Sequence, residues 1–234
     1  MKKFVLLLIA AIPCLAACCG KQAVVPTVYL VGDSTCAIKT DEARPECGWG
    51  EKFQQHFREE SVTVDDRAVN GRSTKSFRAE GRWNAILDSL RACDYVLIQF
   101  GHNDQKITDS PRYSSPEDYC RNLCEYVNEV RQKGATPILL TPICRRYYDE
   151  NGPYHCHGEY PAMAKKAAEL TECPIIDMEQ LTFDWLCTMT AEQAAAYYIT
   201  KDKTHLNYDG AEAVAAMVAA HLSEASESLA SYLK

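Results

Sequence analysis

The 234-residue chain contains no C-x-x-C pair, no G-x-S-x-G pentapeptide, no internal repeat and no low-complexity stretch. The first absence argues against a zinc ribbon or a thioredoxin-type redox site. The second removes the strand-turn-helix elbow of the α/β-hydrolases. The one S-x-x-K, Ser231 to Lys234, sits at the extreme C-terminus, no place for a penicillin-binding type of site. Positive charge is scarce: 25 Lys and Arg against 32 Asp and Glu give a net −7, which argues against a nucleic-acid partner. What is present is globular in character, 47% apolar and 24% charged, with no linker after the first two dozen residues. The length suits one well-buried domain and is short for two.

The N-terminus reads as a targeting segment. Lys2 and Lys3 precede an apolar run, Phe4 to Pro13, that is too short to span a bilayer. Leu15-Ala16-Ala17-Cys18 then resembles the lipobox of bacterial lipoproteins, with cleavage before Cys18 and acylation of its thiol. The alternative is an ordinary secretory signal. The expected organisation is a signal peptide over 1–17, a tether over 18–26 and a catalytic domain over 27–234. That organisation gives an exported, membrane-anchored lipoprotein, periplasmic or at the cell surface, or else a secreted protein. Removing residues 1–17 takes away two lysines and no acid, moving the formal charge from −7 to −9. Ten of the twelve cysteines remain once Cys14 and Cys18 are set aside, and they read as small core residues or structural disulfides.

Short apolar runs alternate with longer helical patterns. Strands are expected at Thr27–Val31, Val62–Ala68, Tyr95–Phe100, Pro137–Leu140 and Pro174–Ile176. Helices are expected at Trp49–Glu60, Arg82–Arg91, Pro116–Lys133 and Pro161–Glu172, then near Thr190–Tyr198 and Ala211–Glu227. Five strands interleaved with helices imply right-handed crossovers and a parallel sheet covered on both faces. In such a sheet ligands bind beyond the carboxyl ends of the strands, and each chemically distinctive segment falls there. Ser34 follows the first strand, Asn70-Gly71-Arg72-Ser73 the second, Gly101-His102-Asn103-Asp104 the third, and Arg145 and Arg146 the fourth. Asp202 and His205 precede the last long helix. A serine, a histidine and an aspartate brought to one mouth supply a nucleophile, its base and the group that orients the base.

These blocks, in this order, resemble the SGNH (GDSL-type) hydrolase superfamily: G-D-S-T at Gly32–Thr35, N-G-R-S-T at Asn70–Thr74, F-G-H-N-D at Phe100–Asp104 and D-K-T-H at Asp202–His205. Finer features are similar to rhamnogalacturonan acetylesterases, carbohydrate esterase family 12. These are Q-F-G-H-N-D-Q-K at Gln99–Lys106, L-L-T-P at Leu139–Pro142, H-G-E-Y-P at His157–Pro161 and T-H-L-N-Y-D-G-A at Thr204–Ala211. The resemblance spans the chain from Thr27 to the last helix. It implies a three-layer α/β/α sandwich with a five-stranded parallel sheet, the flavodoxin-like SGNH fold. It also implies a Ser34–His205–Asp202 triad and an oxyanion hole formed by the backbone N–H groups of Ser34 and Gly71 and the amide of Asn103. No cofactor is implied.

The implied substrate is an acetylated plant polysaccharide, pectic rhamnogalacturonan first among them, handled by a monomer. Arg72, His102, Arg145, Arg146 and His157 are the candidate substrate contacts, set in a rim that also carries Lys75, Arg78 and Lys106. His155-Cys156-His157 with Glu159 has metal-ligand residue types, but alternate residues of one loop rarely converge on one ion. That segment is therefore read as shaping the pocket. Two other classes stay open: a lipase- or thioesterase-like enzyme of the same fold, which needs a long apolar lining, and a glycan-binding lipoprotein without catalysis.

Overall fold

A computed structural model of the chain describes residues 24–234; the expected signal peptide, Cys18 and most of the expected tether lie outside the described residues. In chain order the strands are β1 (Thr27–Gly32), β2 (Thr63–Asp66), β3 (Tyr95–Gln99), β4 (Thr136–Leu140), β5 (Tyr148–Asp149), β6 (Gly152–Pro153) and β7 (Ile175–Ile176). Five of them form one sheet in the order β2-β1-β3-β4-β7, with every neighbouring pair parallel. β5 and β6 make a separate antiparallel hairpin. The chain leaves β1 toward β2 on one side and reaches β3 on the other. The order therefore reverses at β1 and β3, and a crevice opens at their carboxyl ends.

Alternation along the strands creates two cores. Val28, Leu30 and Leu97 face one way and meet Phe53, Met178, Leu186 and Val214. Tyr29, Val31, Val96 and Ile98 face the other way and meet Phe77, Trp83, Leu123 and Ala164. The first layer is built from α1 (Gly50–Phe53), α6 (Met178–Cys187), α7 (Ala191–Ala195) and α8 (Tyr208–Ala220), the second from α2 (Thr74–Ala79), α3 (Arg82–Ser89), α4 (Pro116–Gln132) and α5 (Tyr160–Thr171). Helices on both faces of a parallel sheet make the expected three-layer sandwich. Local chemistry fixes the helix ends. Ser115 accepts from the Asp118 N–H at 3.1 Å ahead of Pro116, and Gly134, at φ +77°, turns the chain out of α4.

All five expected sheet strands are present, but the helices differ from expectation in four places. The helix expected over Trp49–Glu60 stops at Phe53 and tightens into a 3-10 turn at Gln54–His56, because Phe57 leaves to bridge Leu233. The helix expected to run to Glu227 breaks at His221, followed by α9 (Leu222–Ala225) and α10 (Glu227–Ala230), the latter capped by Ser226. α2 and α6 were not expected at all. α2 is only six residues long and starts from a box in which Ser73 and Ser76 cap each other, whereas the usual partner is Glu or Gln. α6 begins at Asp177, whose carboxylate accepts from the Gln180 N–H at 3.4 Å. The nine described cysteines are all free thiols; the five buried ones, Cys36, Cys47, Cys120, Cys144 and Cys173, serve as core residues.

The turn after β1 is held by close backbone packing against residues 48–50. Trp49 and Gly50 donate their N–H groups to the Thr35 and Cys36 carbonyls, both at 3.0 Å. A Cβ on Gly48 would lie 2.2 Å from the carbonyl oxygens of both Cys36 and Ala37, where only backbone can yield. Gly48→Ala should therefore cost at the upper end of the roughly 1–3 kcal/mol of overpacking. Thermal unfolding followed by circular dichroism should show Tm lowered by about 6–12 °C for a chain of this size.

Candidate active site

β1 ends at Gly32, whose missing side chain lets Gln99 pair alongside; a Cβ there would sit 2.7 Å from the Gln99 carbonyl. The chain then turns, with the Cys36 and Ala37 N–H groups returning to the Asp33 carbonyl at 3.2 and 3.1 Å. The Asp33 side chain points down into the protein. Its Oδ1 accepts from the Thr35 N–H (3.0 Å) and hydroxyl (2.9 Å), and its Oδ2 lies 3.1 Å from His102 Nδ1. Burial alone would raise the Asp33 carboxyl, but the His102 ring and the two Thr35 donors outweigh it and hold it below the usual range. Burial lowers His102, more than Asp33 restores, so at neutral pH the ring is uncharged and donates through Nδ1–H. With Asp33 turned inward, the next side chain, Ser34, faces the crevice.

Ser34 Oγ lies 2.9 Å from His205 Nε2, and His205 Nδ1 lies 2.7 Å from Asp202 Oδ2. The other Asp202 oxygen accepts from the backbone N–H groups of Thr204 and His205, at 2.7 and 2.8 Å. A carboxylate can only accept, so Asp202 assigns the Nδ1–H tautomer and leaves Nε2 free to take the serine proton. Burial would raise Asp202, yet the His205 ring and these backbone donors keep its carboxyl below the usual range. The loop is set by Asn207, which caps α8 through the Gly210 N–H at 3.0 Å, and by Ile199, whose N–H reaches the His205 carbonyl at 3.0 Å.

Gly71 and Asn103 come from the loops after β2 and β3. Gly71 has φ +77°, a left-handed conformation that glycine adopts without strain. The buried Asn103 amide donates one hydrogen to the Arg72 carbonyl at 3.0 Å, and its oxygen accepts from Lys106 Nζ at 2.8 Å. The second amide hydrogen meets no acceptor among the described residues.

The five expected substrate contacts are placed differently. His102 is 2% and His157 0% exposed, their rings edge to face at 4.7 Å, so both lie beneath the crevice floor. Arg145 bonds Thr204 Oγ1 and the His102 carbonyl, tying the base loop to the loop after β3. Arg146 lies over the Tyr198 ring at 5.7 Å. Arg72 is paired with Glu80 at 3.0 Å, and Arg78 with Glu129 at 2.9 Å, so part of the cationic rim is already neutralised. His155 and His157 meet Glu179 of α6, at 3.2 and 3.6 Å, and not Glu159. Among the described residues no group of three or more His, Cys, Asp or Glu could hold a metal ion.

Lys39, Glu46 and Arg112 escaped the sequence reading, and Asn70, read only as part of the block after β2, gains a specific partner. Lys39 is enclosed behind Ser34, and Glu46 reaches within 3.9 Å of His205 Nε2. Asn70 binds the Lys39 ammonium at 2.7 Å. The Arg112 guanidinium lies against Gly71, 3.5 Å from where a Cβ would stand. No spacing signal marks Lys39, Glu46 or Arg112, because each is brought in by a long loop. Beside the base, a cavity of about 380 Å³ is bordered by Arg44, Glu46, Tyr198, Ile199, Lys201 and Asn207.

A sheet with its crevice at β1 and β3, and a Ser-His-Asp relay across it, defines an acyl-hydrolase class. The chain belongs to the GDSL-like Lipase/Acylhydrolase family, whose profile matches residues 30–213. It is similar to the rhamnogalacturonan acetylesterase RhgT of Bacillus subtilis (strain 168), 36% identical over 211 residues that cover 84% of this chain and 89% of that protein. It is also similar to the rhamnogalacturonan acetylesterase of Emericella nidulans, 28% identical and covering 83% of each chain. Among solved structures, the YxiM protein of Bacillus subtilis superposes with a TM-score of 0.79 at 25% identity; the match covers 86% of this chain and 57% of that one. The acetylxylan esterase Axe2 of Geobacillus stearothermophilus shares the fold at a TM-score of 0.62 and 19% identity, covering 85% of this chain and 93% of that one.

Asp104, next to Asn103, is a buried carboxyl whose Oδ1 accepts from the Thr74 N–H at 3.1 Å and from its hydroxyl, while Oδ2 has no protein partner. Burial pushes it up to about 7, against which the Thr74 bonds act only in part. A folded-state value above the ordinary 3.8 means that the folded protein holds this proton more tightly than the unfolded chain. The associated stability is present below about pH 4 and is lost as pH rises through 7. Asp104→Asn keeps the acceptor and removes the titration. Its Tm should exceed that of wild type at pH 8.5, with a smaller difference at pH 5.5; a gain that does not grow with pH would show that Asp104 is not the group titrating.

Proposed function

We propose that the protein is a serine esterase that removes O-acetyl groups from a plant cell-wall polysaccharide, with acetylated rhamnogalacturonan the leading substrate. The observation that carries the reading is the unbroken relay from Ser34 through His205 to Asp202, at 2.9 and 2.7 Å. The 28–36% identity to rhamnogalacturonan acetylesterases supports the choice of glycan. As Ser34 Oγ attacks the acetyl carbon, its proton passes to His205 Nε2, and Asp202 stabilises the imidazolium that forms. The tetrahedral oxyanion is held by the backbone N–H groups of Ser34 and Gly71 and by the free Asn103 amide hydrogen. His205 returns the proton to the departing sugar oxygen, leaving acetyl-Ser34. Water, deprotonated by His205, then releases acetate and restores the serine.

The N-terminal segment supports an exported protein acylated at Cys18, acting while tethered to a membrane; among the described residues no helix is long and apolar enough to cross one.

The test is release of acetate from acetylated pectin fractions, alongside hydrolysis of p-nitrophenyl acetate and octanoate. Acetate esters should be turned over well and octanoate poorly; the reverse preference would make the protein lipase-like, and no turnover would make it a binder. Ser34→Ala should lose nearly all activity at unchanged Tm, since the side chain serves the covalent step. Retention of more than a few per cent would rule out Ser34 as the nucleophile.

Asn103→Ala should lower kcat by about 10²–10³, the usual loss for one oxyanion donor, with KM changing less. Steady-state kinetics on p-nitrophenyl acetate separates the two constants. A rise in KM at constant kcat would put Asn103 in ground-state binding instead.

A further inference from the structure

Lys39 is a fully enclosed cation to which the steps above give no task. Its side chain is 0% exposed, and its ammonium meets three oxygens from three segments. They are the Ser34 carbonyl, Asn70 Oδ1 at 2.7 Å and Glu46 Oε1 at 2.8 Å. An ammonium has three hydrogens, so this set uses every donor. The backbone around it is equally fixed: Glu51 accepts from the Lys39 N–H at 3.2 Å and the Gly48 N–H at 3.0 Å, and Arg44 donates to the Lys39 carbonyl at 3.2 Å.

Two of the three oxygens bear directly on the oxyanion site. Ser34 contributes one backbone donor, and Asn70 immediately precedes Gly71, which contributes the other. These donors sit on separate loops, after β1 and after β2, where the strands no longer pair them. The third oxygen bears on the base, since the Glu46 Oε1 that binds Lys39 lies 3.9 Å from His205 Nε2. Among the described residues the only other charged group facing His205 is Asp202, bonded to Nδ1; Arg145 faces the neighbouring Thr204.

We infer that Lys39 is a positioning residue for acyl transfer. It clamps the Ser34 turn to the Asn70–Gly71 loop so that the two backbone donors converge on one oxyanion, and it neutralises Glu46 beside the base. It touches neither substrate nor the reacting atoms. The inference rests on the esterase reading above and adds a residue to it.

The test compares wild type, Lys39→Met, Lys39→Met/Glu46→Gln and Asn70→Ala on p-nitrophenyl acetate, with active serines counted by a fluorophosphonate probe. Wild-type turnover that Ser34→Ala abolishes establishes the esterase reading; a wild type inert on all acyl esters overturns it and the role of Lys39 together. Given an active wild type, Lys39→Met should lower kcat per titrated serine by about 10–10², less than loss of a direct donor, with KM within about threefold. Its Glu46 carboxylate, no longer neutralised, should hold a proton on His205 and move the acid limb of the kcat/KM profile to higher pH. Lys39→Met/Glu46→Gln should restore that limb while kcat stays low. Asn70→Ala cuts the clamp from the other loop without leaving a buried cavity at Lys39. It should lower kcat with the limb unmoved, and it decides the matter if Lys39→Met does not fold. A loss of Tm with kcat per titrated serine unchanged in both variants would reduce Lys39 to a structural residue and overturn the inference.

Discussion

The site depends on one buried negative charge. Asp33 sits under the nucleophile with no exposure to water, ionised because Thr35 and the His102 ring supply every hydrogen bond it needs. That carboxylate joins the loops that leave the two central strands, β1 and β3, at the point where the sheet order reverses. Bonds from neutral donors add little net stability, but leaving a buried carboxylate short of one costs about 1–3 kcal/mol or more. The geometry is therefore all or none: with His102 in place, Asp33 points down and Ser34 up.

Around this pin, polar ties take over where strand pairing ends. Gln99, the last residue of β3, accepts from Trp49 Nε1 at 2.8 Å and donates to the Thr141 carbonyl at 3.2 Å, linking the nucleophile's packing partner to the end of β4. Arg145 carries the connection on to Thr204 and so to the base. Loops that extend beyond a sheet have no ladder to align them. Side chains with several donors in a fixed array, such as guanidinium and amide groups, replace it.

How much of this was legible in the sequence follows the same division. The five sheet strands could be read because strands buried on both faces appear as apolar runs such as Tyr95–Phe100, and the meeting of Ser34, His205 and Asp202 because each stands at a strand end or just before a helix. α6 was missed because Met178–Cys187 mixes apolar residues with a buried Thr182 and offers only Asp177 as a start. Lys39, Glu46 and Arg112 were missed because their roles arise from partners distant in sequence, as with Lys39 and Asn70. The basic residues chosen as substrate contacts were selected by charge and location. Arg72 and Arg145 proved to be engaged with Glu80 and Thr204, and their availability could be judged only once those partners were in place.

The nucleophile and the base lie 171 residues apart, one just after the first strand and the other just before the last long helix. On the proposed mechanism, a chain emerging from synthesis in order from its N-terminus thus presents its nucleophile early and its base nearly last. Until residue 205 has docked, the serine hydroxyl has no base and is as inert as any surface alcohol. On that reading hydrolysis begins only once the segment around residue 205 has docked, and activity measured during refolding reports that long-range contact, not the growth of the sheet.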